Sequence, residues 1–104
     1  MSYEDLLKRA LEIQSKYDKL NSVHSREPWN AQNYMAGLVG DVGDLSKIIM
    51  AKEGLRDMEN VDTKLAHELS DCLWSVLVLA DKYKIDLASE FMKNMDALEE
   101  RISD

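Results

Sequence analysis

Residues 35–49 read Met-Ala-Gly-Leu-Val-Gly-Asp-Val-Gly-Asp-Leu-Ser-Lys-Ile-Ile. Apolar residues fall at Met35, Leu38, Val42, Leu45 and Ile49. Steps of three and four place them on one face of an α-helix. Strand alternation is absent, and the stretch extends naturally to a helix over Asn30 to Lys52. Gly37, Gly40 and Gly43 lie inside it. Each interior glycine costs about 1 kcal/mol relative to alanine, so close helix packing or close approach of a ligand is expected there. Two acids, Asp41 and Asp44, interrupt an otherwise weakly charged segment.

The same period recurs on both sides. Tyr3 to Leu20 carries Leu6, Ala10, Ile13 and Tyr17 at helical spacing, with Ser2 as N-cap and Asp5 three residues on. Asn21 to Pro28 is a polar break, and Glu53 to Asn60 is a polar connection. A third helix is expected over Asp62 to Tyr83, and a fourth from Asp86 as N-cap to Ile102, with Ala88, Phe91, Met95, Leu98 and Ile102 as its stripe. Met35, Met92 and Met95 sit at stripe positions and read as core. The fold expected is all-α, a four-helix bundle-like protomer whose second and third helices form a central antiparallel hairpin. At 104 residues, the chain reads as a single domain, 1–104.

The third helix suggests an oligomer. Cys72 to Ala80 holds no charge, and its main stripe is Leu65, Leu69, Leu73, Val76 and Ala80. Trp74 and Val78 point roughly opposite Leu69 at 100° per residue. A helix apolar all round is covered all round, so Trp74 and Val78 are expected to pack on another subunit in a homodimer or homotetramer.

Net charge is −7, which disfavours nucleic acid and anionic membrane as partners. The longest uncharged run, Pro28 to Gly40, has 13 residues, whereas a membrane span needs about 20. One cysteine, Cys72, rules out an internal disulfide and suits a reducing, cytoplasmic setting. Cys72 itself reads as a small buried hydrophobe.

Acidic residues occur at i, i+3 in four places: Asp41/Asp44, Glu59/Asp62, Glu68/Asp71 and Asp96/Glu99. Such pairs share one helix face and are ordinarily a solvated surface, as expected of Glu59/Asp62 and Asp96/Glu99. Asp41 and Asp44 differ. They lie about 60° and 120° from Leu38 on the shoulder of an apolar stripe. Glu68 and Asp71 hold a similar place on the third helix. Facing one another across an antiparallel hairpin, four carboxylates need a counter-charge. Oxygen-only donors favour hard cations, Mg2+, Mn2+ or Ca2+. No Glu has His three residues later, which sets aside the di-iron bundle.

Gly-Leu-Val-Gly-Asp-Val-Gly-Asp-Leu-Ser-Lys (37–47) followed by His-Glu-Leu-Ser-Asp-Cys-Leu (67–73) resembles the MazG-like, all-α NTP pyrophosphohydrolases. Their pattern is Glu-x-x-Glu, a spacer, then Glu-x-x-Asp. The likeness covers roughly Trp29 to Ile102 and is greatest to the small dCTP-pyrophosphatase-like branch. Here Asp41 and Asp44 replace the first two glutamates, each one methylene shorter. The resemblance implies hydrolysis of a nucleoside triphosphate to monophosphate and pyrophosphate. Asp41, Asp44, Glu68 and Asp71 would hold Mg2+, and Asp41 or Glu68 would act as catalytic base. Lys47, Lys64, Lys93 and Asn94 would bind phosphate. Trp29 would stack on the base, unless it simply anchors the helix start; Asn33 and His24 would meet the base edge, unless they are plain surface polar residues. His67 reads as exposed. Two other functions fit the same residues: a phosphoribosyl-ATP-type pyrophosphohydrolase, and a catalytically weak helical oligomer that binds nucleotide or a protein partner.

Overall fold

The computed structural model describes residues 1–103. Four helices follow in order: α1 Tyr3–Val23, α2 Ala31–Lys52, α3 Val61–Lys82 and α4 Leu87–Ile102. All lie where the periodicity puts them, with α1 running three residues beyond Leu20. Among the described residues no strand occurs and no helix is long and apolar enough to cross a membrane.

Local chemistry sets the ends. Ser2 and Asp5 form a capping box, each side chain accepting from the other's backbone N–H at 3.2 and 3.0 Å. Asn30 and Asn33 repeat it for α2 at 2.9 and 3.0 Å. Asp86 accepts from Ser89 N–H at 3.2 Å to start α4. Asn60 gives α3 no side-chain cap; instead the Lys52 ammonium donates to Asp62 Oδ1 at 2.6 Å and ties the α2–α3 connection. Helices α1, α2 and α3 all finish with paired backbone bonds back to the last turn, through Ser25, Gly54 and Lys84. All three residues adopt positive φ. Glycine suits that conformation, whereas Ser25 and Lys84 carry a Cβ into it.

Helices α2 and α3 pack along their length as the expected antiparallel hairpin. Lys52 meets Asp62 at one end, and Tyr34 meets Trp74 and Lys82 at the other. Helix α1 lies against the other side of α3. Thus α3 is covered on two sides within one chain. This overturns the expected role of Trp74 and Val78. Val78 is fully buried, and the Trp74 indole donates to the Ala10 carbonyl on α1 at 3.0 Å. Its ring packs between Tyr17 and Tyr34, with centroids 5.8 and 5.4 Å away. An indole N–H needs an acceptor when covered, and α1 supplies one. Leu69 and Leu73, expected in the core, are 51% and 46% exposed.

Helix α2 is rotated likewise. Its inward face is Tyr34, Leu38, Asp41, Leu45 and Ile48, while Met35, Val42 and Ile49 face outward. Burial of the large Tyr34 ring against two tryptophans fixes this rotation and carries Asp41 toward α3. The glycines do not bring helices together. A Cβ on Gly40 or Gly43 would meet open space, whereas one on Gly37 would touch the Trp29 ring at 3.5 Å.

Helix α4 packs little on the rest. Phe91 and Met92 are 55% and 60% exposed, so Met92, like Met35, is not core; Met95 is partly covered. The radius of gyration is 16.7 Å, against about 13 Å for a compact chain of this length. The accessible surface is 8004 Å², against about 6,000 Å² for a compact monomer of this mass. Val39, Val42, Leu69, Phe91 and Met92 are among the large apolar side chains left exposed.

Candidate active site

The rotation of α2 makes the site. Asp41 falls between Leu38 and Leu45 on the inward stripe and is half-buried; Asp44, one turn on, stands exposed at its edge. From α3, Glu68 and Asp71 face them, both half-buried. Asp41, Asp44 and Glu68 each bring an oxygen within 4.8 Å of the others. His67, Glu68 and Asp71 form a second such group, again within 4.8 Å. Glu68 belongs to both. The shorter aspartates on α2 therefore still reach across the hairpin.

The charge is uncompensated. Among the described residues no lysine or arginine pairs with any of the four; only His67 does, its Nε2 lying 3.1 Å from Asp71 Oδ2. Glu68 Oε2 is enclosed and has no hydrogen-bond partner. Burial, then the Asp71 and Asp44 charges, push the Asp41 carboxyl above its usual range. Burial and the Asp41, Asp71 and Asp44 charges do the same to Glu68. The Cys72 thiol beside them is raised too, by burial first and then by Asp41, Glu68 and Asp71. Cys72 is partly covered rather than buried, as its reading as a small buried hydrophobe would have had it.

Clustered carboxylates that hold one another toward protonation are what a hard divalent cation relieves. Two oxygens on one Mg2+ stand about 3–4 Å apart at bond lengths of 2.0–2.1 Å. The residues present therefore fit such an ion with a small contraction, and the enclosed, unpartnered Glu68 oxygen is the donor that lacks a partner without it.

A cleft of about 440 Å³ opens beside the acids, lined by Asp44, Lys47, Met58, Thr63, Lys64, His67 and Glu68, with Ile48 at its base. Lys47 and Lys64 thus come to the site. Lys93 and Asn94 do not line it: Lys93 pairs with Glu90 on α4 at 3.6 Å, and Asn94 is exposed. A second cavity, about 340 Å³, lies at the Tyr34 end of the hairpin, walled by Tyr17, Trp29, Tyr34 and Trp74, with Leu20, Asn21 and Arg26. Trp29 packs edge-on to Tyr34 at 5.3 Å. Asn33, one residue before Tyr34, holds its carbonyl oxygen in the α2 cap. His24 is the exposed C-cap of α1 and lines neither cavity.

Sequence reasoning passed over Tyr17, Tyr34, Trp74 and Arg26 as a group, and over the place of His67 beside Asp71. The four-residue interval from His67 to Asp71 signals that pairing. Nothing local brings Tyr17, on α1, to Trp74, on α3.

The model of the MazG nucleotide pyrophosphohydrolase domain matches residues 30–104. The chain is also similar to the Gene 37 protein of Mycobacterium phage L5, 35% identical over 69 residues, which take in 62% of this chain and 60% of that protein. The chain thus spans less than two thirds of that relative's length. No solved structure gives a significant match. The matched segment holds α2, α3 and α4 with both acidic pairs, and the chain belongs to the MazG nucleotide pyrophosphohydrolase family.

Proposed function

We propose that the protein hydrolyses a nucleoside or deoxynucleoside triphosphate to the monophosphate and pyrophosphate, with Mg2+ or Mn2+, and so clears nucleotides from the pool. The observation that carries this is the convergence of Asp41, Asp44, Glu68 and Asp71 across the α2–α3 hairpin, with no lysine or arginine among the described residues paired to them. These four side chains hold the cation. A bound divalent ion would gather the phosphate oxygens, offset their charge and activate water.

The remaining work belongs to the chain. Asp41 and Glu68, both held toward protonation, are the two candidates to take the proton of the attacking water, since a base works best with a pKa near the working pH. Water bonds to the α-phosphorus, and the bond to the pyrophosphate oxygen breaks. Lys47 and Lys64 at the cleft meet the phosphates. The base stacks on Trp29 in the aromatic cavity. A homodimer or homotetramer would cover the surplus apolar surface noted above. The acidic protein acts on free nucleotides in the cytoplasm.

Pyrophosphate release over a panel of NTPs and dNTPs with Mg2+, beside Glu68→Ala, tests the reading. Release that needs the metal and disappears in the variant supports it. No release with any nucleotide, with Mg2+ or Mn2+, from folded protein overturns it.

A further inference from the structure

The acidic centre has one nitrogen at its rim. His67 precedes Glu68 on α3, and its Nε2 lies 3.1 Å from Asp71 Oδ2. The imidazole is well exposed, so as an ion pair it would contribute little. It also lines the cleft beside Lys47 and Lys64, the side from which a ligand would enter. Its ring nitrogen, a Glu68 oxygen and an Asp71 oxygen lie within 4.8 Å of one another. The Glu68 side chain shared with the all-oxygen group has its Oε2 enclosed and unpartnered.

We propose that His67 is a direct nitrogen ligand of this centre, so that His67, Glu68 and Asp71 form a mixed nitrogen–oxygen site for a first-row transition cation. The inference rests on the carboxylate centre proposed above. Its physical basis is ligand softness. Carboxylate groups alone suit Mg2+, whereas imidazole favours transition ions, with affinity rising from Mn2+ to Co2+ and beyond. An outer-shell role, in which His67 only orients Asp71 by a hydrogen bond, is the competing arrangement.

Pulsed electron paramagnetic resonance of the full chain loaded with Mn2+ separates the two. The chain has two histidines, His67 and His24, and His24 caps α1 away from the acids. The expected result is nitrogen-14 modulation from a coordinated imidazole that persists in His24→Ala and vanishes in His67→Ala. The His67→Ala protein should still bind Mn2+ through its carboxylates. Calorimetric titration should show its Co2+ affinity falling more than its Mg2+ affinity, since imidazole favours transition ions and Mg2+ draws on oxygen donors. Bound Mn2+ without nitrogen modulation, or modulation that survives His67→Ala, overturns the inference and leaves the carboxylate centre standing. Absence of Mn2+ binding by the parent chain removes both.

Discussion

Replacing Glu68 by Gln should make the cation-free protein more stable. Glu68 shares one cluster with Asp41 and Asp44 and another with Asp71, each spanning no more than 4.8 Å. Two like charges 4.8 Å apart repel by about 3.5 kcal/mol at an effective dielectric constant of 20, and closer ones by more. Solvent at the open cleft reduces this greatly, since exposed pairs measure about 0.2–1 kcal/mol. Three neighbours around a half-buried carboxylate then make a net penalty of about 1–2 kcal/mol. The Glu68→Gln amide keeps the shape, removes the charge and adds N–H donors among three carboxylates. In EDTA the variant's thermal midpoint should exceed the parent's by about 4–16 °C, at about 4–8 °C per kcal/mol for a domain of this size. Mg2+ should reverse the order. At a hundred times its Kd a ligand adds about 2.7 kcal/mol to the form that binds it, and the variant should lose most of that gain.

The same repulsion fixes the pH dependence. Asp41 and Glu68 have carboxyls raised in the folded state by burial and by neighbouring acids. The native state therefore binds more protons than the unfolded chain, and stability falls as pH rises. The penalty is absent below the ordinary carboxylate range, near pH 4, grows as pH climbs through the raised values and is complete above them. Thermal unfolding in EDTA from pH 5 to 7.5 should show that fall in the parent, with a smaller slope in Glu68→Gln or with saturating Mg2+. A Glu68→Gln protein that is less stable than the parent in EDTA, or that keeps the full Mg2+ shift, would refute the reasoning.

Trp29→Ala should raise KM for nucleotide about 5- to 150-fold, the equivalent of about 1–3 kcal/mol of base stacking, with a smaller change in kcat; an unchanged KM removes the base from the aromatic cavity. Lys84→Gly should stabilise the protein by about 0.5–1 kcal/mol, because Lys84 sits at φ 58° where glycine bears no Cβ penalty; chemical denaturation reads this directly, and a destabilised variant contradicts it. Sedimentation should find the parent at a multiple of 11.9 kDa, since the surplus of about 2,000 Å² exceeds the roughly 800 Å² per partner of a standard interface. Phe91→Asp, which places a charge on the exposed face of α4, should shift that equilibrium toward monomer; a monomeric parent shows that the outer faces are not interfaces between copies.

The sequence carried the helices more faithfully than their orientation, for a physical reason. Caps and breaks are local: Ser2 with Asp5, Asn30 with Asn33 and Asp86 with Ser89 act within three residues, so each boundary can be read from its own neighbourhood. Orientation is a competition between faces. Helix α2 offers two apolar stripes one residue apart, one through Met35, Val42 and Ile49 and one through Tyr34, Leu38, Leu45 and Ile48. Periodicity gives both the same pitch and cannot rank them. The tyrosine decides, because its ring has two tryptophans to meet, and those partners come from the connection before α2 and from the middle of α3. On α3 the angular reasoning correctly set Trp74 and Val78 apart from Leu69. What it lacked was the partner, since nothing near Trp74 in sequence announces the Ala10 carbonyl 64 residues away. The acidic pairs were legible through their spacing, yet their convergence depends on the rotation that Tyr34 imposes. Had Met35 and Val42 turned inward instead, Asp41 would lie farther from α3. The aromatic cluster thus positions the carboxylates, and a change such as Tyr34→Ala should spread the acids apart and weaken cation binding without touching a ligand.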